Sequence, residues 1–448
     1  MSRGRLKHKV PATLASELEA AKQELQQGHF EQARQRYQRI LKRKPDLTAA
    51  LHFLGVLEHM DGNSAKGLGL IQKAHQQDHG DYGIRKNLSN VLNDMNRSEE
   101  AELLCRELVV EHPEEPTNHS NHSVALRKLG RHAEAIAAGR QAVKLAPQNP
   151  VAWLTLANAL GWAGELAQAA QGYEQVIALK PAFSPAHNSL CQALLQIEQS
   201  GFVSRRRMTR TRRAYQRWVK AVPEHPTARF MLDALEKGHA PARMPDSAVR
   251  ASFDAYAQDF DKHIRSLDYR APELVGEVLA RQLQDVTAPL NILDGGCGTG
   301  LAAPLLRPHA HHLTGVDLSL AMLERARASG FYDTLAEAEL GSFLQAHPES
   351  FDVCVLIDVL IYFGDLHAIL LSAADALRPG GLLVFTVEKA SRPGTHLHPT
   401  GRYSQHPQHV QAALAAAGLS VTEQTEAKLR SEAHAPVTGL VVCAHKPH

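Results

Sequence analysis

In the first half of the chain, residues 34 positions apart repeat in kind, and that period constrains the fold more than any other feature. Gly28, Gly62, Asn96, Gly130 and Gly164 form one series. Ala33, Gly67, Ala101, Ala135 and Ala169 form a second, and Pro45, His79, Pro113, Pro147 and Pro181 a third. Glycine and asparagine tolerate the positive φ that a tight turn between two helices needs. A small residue five positions later lets the paired helices approach closely. Proline after the second helix stops it and starts the next connection. One helix pair cannot bury its apolar face alone, so five units from about residue 14 to 183 imply a stacked, all-α solenoid. A sixth unit begins at Ser184, is interrupted by a basic insertion, and resumes at Tyr215, Trp218 and Pro223. Phe230 to Leu235 then reads as a capping helix, and Cys105 and Cys191 fall at packed repeat positions.

Composition sets the outer limits. Of 448 residues, 44% are hydrophobic and 21% charged, which excludes a largely disordered chain. No apolar run is long enough for a spanning helix, and no apolar h-region follows the basic start Met1 to Val10. Five scattered cysteines without a CxxC pair fit a reducing, cytoplasmic setting and neither a disulfide framework nor structural zinc. Residues 1–250 carry 35 basic and 25 acidic side chains, and residues 251–448 carry 14 and 22. That asymmetry suggests two domains with different partners. The expected organisation is a tail over 1–13, the solenoid over 14–235, a Gly- and Pro-containing linker over 236–250, and an α/β domain over 251–448.

Beyond the linker, apolar strands alternate with helices, as in a parallel α/β sheet. The strand Leu290 to Leu293 runs into NILDGGCGTG, in which Asp294 precedes Gly296, Gly298 and Gly300 at alternate positions. Such a turn brings backbone close to a ligand, but its spacing differs from the pyrophosphate-binding G-x-G-x-x-G. Asp317 closes the next apolar strand, where a carboxylate can hold both hydroxyls of a ribose. Glu339 follows a third alternation, and Asp358 closes FDVCVLI. The segment LRPGG breaks a helix before the strand Leu382 to Val387.

The period, with the best copy at Trp153, Leu156, Ala157, Leu160, Gly164, Ala169, Tyr173 and Pro181, resembles the tetratricopeptide repeat. The second half resembles the Rossmann-like class I S-adenosylmethionine-dependent methyltransferases. With FDAYAQDFDKHIRSLDYRAP and the late segments around Gly401-Arg402-Tyr403, Leu429-Arg430-Ser431-Glu432 and Pro436-Val437-Thr438-Gly439, nearly the whole chain resembles bacterial methyltransferases fused to such repeats. The resemblance implies S-adenosylmethionine as cofactor. Asp294, Gly296, Gly298 and Gly300 would face its methionine part, Asp317 the ribose, Glu339 the adenine region and Asp358 the methyl group.

Candidate residues follow. Tyr256 and Phe260 could cover the cofactor or simply pack. Arg402 and Arg430 could clamp a substrate carboxylate or pair with Glu432. Asp358, Tyr362, Tyr403 and His406 are general-base candidates by position. On the solenoid, Lys86, Asn90, Asn121, Arg127 and Asn158 could hold a peptide backbone, or be ordinary helix residues. The run from Ser204 to Lys220 could meet nucleic acid, with Tyr215 and Trp218 stacking on bases, dock onto an acidic protein surface, or be a solvated face over a packed stripe. Clustered histidines without cysteine partners do not suggest a metal. The residues after Ile357 lack Asn-Pro-Pro-Tyr, which argues against amino methylation of bases or glutamine. A protein or peptide acceptor is expected, with a small metabolite as alternative, and RNA as a further one.

Overall fold

The computed structural model describes residues 12–200, 208–236, 241–254, 257, 260, 261, 264, 267–432 and 435–448. It divides into two compact units, Met1–Ile197 and Glu198–His448.

The first unit is a series of antiparallel helix pairs. These are α1 (Ala12–Gln26) with α2 (Phe30–Arg43), α3 (Thr48–Met60) with α4 (Ser64–Gln77), α5 (Tyr82–Asp94) with α6 (Ser98–Glu111), α7 (Pro116–Lys128) with α8 (His132–Leu145), and α9 (Pro150–Trp162) with α10 (Leu166–Leu179). Helix α11 (Ser184–Ser200) follows them. Each expected turn residue adopts a left-handed φ: 79° at Gly28, 88° at Gly62, 59° at Asn96, 76° at Gly130 and 80° at Gly164. The turns share one hydrogen-bond pattern. At the second, Gly62 N donates to His59 O (3.0 Å) and Asn63 N to Glu58 O (2.9 Å), which satisfies the last carbonyls of α3. The small-residue series marks helix contacts, since a Cβ on Gly67 would stand 2.6 Å from the Gly55 carbonyl oxygen. A fourth series has no common residue type. Six positions after a proline, His119, Trp153 and His187 each bind the carbonyl of Pro113, Pro147 or Pro181, at 2.7, 2.8 and 2.7 Å. Arg229 does the same for Pro223, where the period resumes after the insertion.

In the second unit, α12 (Thr209–Ala221) and α13 (Pro226–Glu236) continue the pattern. Tyr215 and Trp218 are fully buried, so the basic helix presents arginines over a packed stripe and has no ring to offer a base. Glu198 caps α12, accepting from Arg210 N (3.0 Å), Thr211 N (3.2 Å) and Thr211 Oγ1 (2.6 Å). The division of the chain falls well before the expected linker because α13 packs on the sheet domain. Phe230 lies 6.4 Å from the Tyr403 ring, and a Cβ on Gly401 would meet Met231 Sδ at 2.9 Å. Inside the expected linker, α14 already begins (Asp246–Asp254).

The sheet has nine strands: β1 (Leu290–Gly295), β2 (Ala310–Asp317), β3 (Thr334–Glu337), β4 (Phe351–Leu356), β5 (Leu377–Lys389), β6 (Thr395–Leu397), β7 (Tyr403–Gln405), β8 (Ser420–Glu432) and β9 (Ala435–His445). The order β3-β2-β1-β4-β5 is parallel; β9 adds to β5 antiparallel and β8 to β9. The short β7 extends the end of β5 at Glu388 and Lys389 and carries β6. Alternate residues fill two cores. Leu293, Cys354, Leu356 and Phe385 face one, and Ile292, Val353, Val355 and Val384 the other. Chain order reverses at β1, so the carboxyl ends of β1 and β4 form a crevice, the usual place for a ligand in such sheets.

Replacing Gly62 by Ala should cost about 1–2 kcal/mol through its backbone alone, since nothing lies within 4 Å of the added Cβ. Asn96→Gly should be neutral or stabilising by a few tenths, and Gly67→Ala should cost more than Gly62→Ala because its Cβ meets backbone. Urea unfolding followed by circular dichroism checks all three.

Candidate active site

The turn after β1 folds across the end of β2. Gly296 N and Cys297 N both donate to Val316 O, at 2.7 and 3.0 Å. Gly296, Gly298 and Gly300 have φ of 73°, 55° and 88°, which glycine alone adopts freely. A Cβ on Gly296 would stand 2.2 Å from Val359 Cγ2, while one on Gly298 meets nothing within 4 Å. The turn is thus closed toward the protein and open at Gly298. There Gly298 N donates to Asp317 Oδ2 (2.9 Å) and Ser319 N to Asp317 Oδ1 (2.8 Å). Burial raises the Asp317 pKa, against the pull of these hydrogen bonds.

Asp294 lies under the turn at 2% exposure and accepts from the Tyr332 hydroxyl at 2.6 Å. Burial, with the Asp317 charge adding to it, lifts its pKa to about 7 in spite of that bond. Tyr332 itself escaped sequence reading. Its ring is seated where Cβ atoms on Gly300 and Gly315 would stand, 3.0 and 2.8 Å away. Cys297 packs inward.

Glu339 caps the helix Leu340–Gln345, accepting from Gly341 N (2.9 Å), Ser342 N (2.7 Å) and Ser342 Oγ (2.8 Å). Arg243 adds a fourth donor at 2.8 Å. Burial pushes the carboxyl up, but these bonds prevail and hold it at about 2. Its local work is therefore capping, which the sequence reading did not foresee.

Asp358 follows β4 with φ 54°. Its N–H donates to Thr386 Oγ1 (2.8 Å), whose hydroxyl returns a bond to Asp358 Oδ1 (3.0 Å). Arg430, 2% exposed, donates to Asp358 Oδ2 (3.0 Å), to Glu432 Oε1 (2.7 Å) and to Glu388. Arg402 grips Glu432 with both terminal nitrogens, at 2.6 and 2.8 Å. Of the two readings left open for these arginines, the structure favours pairing with Glu432 over a free carboxylate clamp. Burial raises the Asp358 pKa and Arg430 opposes it. Two tyrosines border this group. Burial lifts Tyr362 to about 12 and pushes Tyr269 well above its usual value, with the Asp358 charge adding to both. Both hydroxyls stay protonated at neutral pH.

Other expectations change. Tyr403 is fully buried and donates to Pro241 O (2.8 Å), so its hydroxyl anchors a backbone segment and is no base. His406 caps the helix Pro407–Ala416. Tyr256 lies outside the described residues, while Phe260 stacks edge-on with Phe253. Glu388, missed earlier, closes an apolar strand as Asp317 and Asp358 do, and the same signal could have found it. On the solenoid, Asn90 is half-buried and the Asn121 side-chain nitrogen is buried without a partner. Asn158 accepts from Tyr173 (2.9 Å), Lys86 lies over the Tyr82 ring and Arg127 over Trp162. Asn158 and Arg127 are thus tied to the solenoid's own side chains.

The folded protein favours protonated Asp294. That stability is present below the unfolded value near 4 and is lost as pH rises through about 7. Asp294→Asn should therefore raise the melting temperature at pH 8, by the equivalent of at most about 4 kcal/mol, and change it little at pH 4. Scanning calorimetry at both pH values measures this.

The sequence matches the methyltransferase-domain family over residues 266–424. It matches tetratricopeptide-repeat families over 18–81, 87–150 and 126–194. Methyltransferase-like protein 27 of Homo sapiens is 37% identical over 150 residues, 33% of this chain and 61% of that one. Malonyl-[acyl-carrier protein] O-methyltransferase of Salmonella typhimurium is 29% identical over 147 residues, 32% and 55% of the two chains. The chain thus spans less than two thirds of the length of either relative. Among solved structures, the 1,6-didemethyltoxoflavin-N1-methyltransferase of Burkholderia thailandensis is 19% identical with a TM-score of 0.39, over 47% of this chain and 93% of that one. No helix among the described residues is long and apolar enough to cross a membrane. The chain joins tetratricopeptide repeats to a methyltransferase domain of the class I, S-adenosylmethionine-dependent kind.

Proposed function

We propose that the protein is an S-adenosylmethionine-dependent methyltransferase whose acceptor is a polypeptide held by the repeats. The observation that carries the cofactor reading is a pair of acids, Asp294 buried and Asp317 half-buried, at one open glycine turn. Gly298 leaves backbone exposed beside Asp317, which keeps lone pairs for a ribose diol. Asp294, buried beneath the turn, supplies the charge that an amino-acid ammonium would neutralise. When bound, the sulfonium supplies an activated methyl and its own leaving group. The protein's task is then to align a nucleophile and accept its proton.

The acceptor side bears on the substrate class. Among the described residues, Asp358, Glu388 and Glu432 surround two guanidiniums, Arg402 and Arg430, which those acids already engage. A substrate carboxylate, such as the one implied by the name of the malonyl-carrier relative, would meet surplus negative charge there. An amine or other neutral or cationic group would not. The Asn-bearing solenoid helices in the same chain favour a peptide as the carrier of that group. The buried Tyr215 and Trp218 weigh against RNA.

Calorimetric titration of the full chain with S-adenosylhomocysteine should give binding, weakened about 10–100-fold by Asp317→Ala. Affinity should also fall as pH drops below about 7, up to tenfold per unit, because protonated Asp294 cannot hold an ammonium. Absence of heat from the wild-type chain would sink the cofactor reading. Labelled cofactor added to a cell extract should mark a polypeptide; label found only on metabolites overturns the acceptor assignment.

A further inference from the structure

The segment before the methyltransferase domain is sewn to the rim of the candidate site. Ala242 O accepts from Gly364 N (2.7 Å) and Asp365 N (2.9 Å), and Met244 N donates to Tyr362 O (2.9 Å). Tyr403 holds Pro241 O from the other side, as described above. The sheet domain makes room for this strap. A Cβ on Gly364 would stand 2.7 Å from both Pro241 O and Tyr403 Cε1. Further along, Arg250 Nε donates to Leu318 O (2.9 Å), and Ser319 Oγ donates to Asp254 Oδ1 (2.6 Å). Both of these contacts fall on the residues just after Asp317.

Three backbone bonds and the Tyr403 hydroxyl thus fix the chain at Arg243, whose side chain reaches Glu339 Oε1 at 2.8 Å. Its guanidinium carbon lies 5.3 Å from the Phe363 ring centre, and it pairs with Asp246. Glu339 stands two residues beyond Glu337, the β3 partner of Asp317 on β2. A nucleoside whose ribose lies at Asp317 and whose amino-acid arm runs toward β1 has its base directed to β3, the strand that leads to Glu339. Three of the Glu339 donors are local and fixed by the helix cap. Arg243 alone comes from a distant part of the chain, 96 residues away.

We propose that Arg243 is a base-recognition residue of the cofactor site, acting as a pair with Glu339. Glu339 already accepts four donors, so the pair presents a carboxylate charge beside a guanidinium with N–H groups to spare. An adenine edge offers the complement, an amino donor next to a ring-nitrogen acceptor. A 6-oxopurine offers the reverse order. The inference rests on the cofactor reading above and extends it to a residue outside the span 266–424 that matches the methyltransferase family.

The test is calorimetric titration of the full chain with S-adenosylhomocysteine and S-inosylhomocysteine. The wild type should prefer the adenosyl ligand. Arg243→Ala should weaken adenosyl binding about tenfold and shrink the preference by a similar factor, and Arg243→Lys should restore part of both. Gly364→Ala, which keeps both side chains of the pair but displaces the strap that aims Arg243, should reproduce the loss. Melting curves identify any variant that fails to fold, and the adenosyl-to-inosyl ratio is a readout that a purely structural contact would not move. Binding by the wild type with an unchanged ratio in Arg243→Ala, or tighter adenosyl binding by that variant, overturns this inference alone. No binding of either ligand by the wild type overturns the cofactor reading and this inference together.

Discussion

Arg430 is the charge on which the carboxyl edge of the sheet depends. It is buried, and its donors go to Asp358 after β4, Glu388 at the end of β5 and Glu432 on β8. A buried guanidinium is tolerable only when its donors are met, and removing one partner of such a group typically costs about 3–5 kcal/mol. The three acids therefore fix where β4, β5 and β8 end relative to one another. Asp358 is held in a left-handed conformation by Thr386 from one side and Arg430 from the other. An aspartate in that region is mildly strained, and such strain persists where surrounding contacts over-determine it. Here it turns the backbone out of the strand beside the glycine turn.

The same edge explains why the chain divides before α12. Helix α13 and the strap at Pro241–Met244 bury their apolar and backbone groups against β7 and the loop after β4. Sequence composition marks this stretch as a connection because it lacks apolar periodicity. Yet a segment can bind by its backbone, and backbone hydrogen bonds leave no signature in side-chain pattern. Gly364 is the trace that remains, a glycine with an ordinary φ whose missing side chain makes space for a carbonyl.

Features governed by local backbone geometry were legible. The five turn residues of the solenoid were readable because positive φ restricts residue type, and all five have it. The glycine turn and the acids closing β2 and β4 were readable because strand ends are visible as breaks in apolar runs. What escaped involves partners far apart in sequence. Tyr332 reaches Asp294 across 38 residues and Arg243 reaches Glu339 across 96. The proline-carbonyl series at His119, Trp153, His187 and Arg229 escaped for another reason. Three different side chains perform one task there, so identity does not repeat although function does. Tyr403 was misread because strand β7 turns it inward, toward Phe230 and Pro241.

Charge balance links the two ends of the candidate site. At the glycine turn, Asp294 is buried and Asp317 half-buried, neither has an ion pair among the described residues, and burial raises both pKa values. At the β4–β5 end, three acids outnumber two arginines. Among the described residues, acids thus outnumber bases at both ends, and isolated buried carboxylates are unstable in that form unless a cation arrives. A ligand bearing an ammonium at one end and a sulfonium beside the other acids would relieve both deficits. After methyl transfer the sulfonium charge is gone from the leaving group, so the acid-rich end would hold the demethylated product less well than the donor. If the acceptor is an amine, the positive charge does not vanish but moves to it, and the same acids then stabilise the methylated product and the transition state leading to it. A carboxylate acceptor would instead bring its own negative charge into the crevice on binding and lose it, together with the sulfonium charge, on transfer. On the proposed function, the electrostatics of the edge would therefore discriminate among acceptors by where the positive charge resides after transfer.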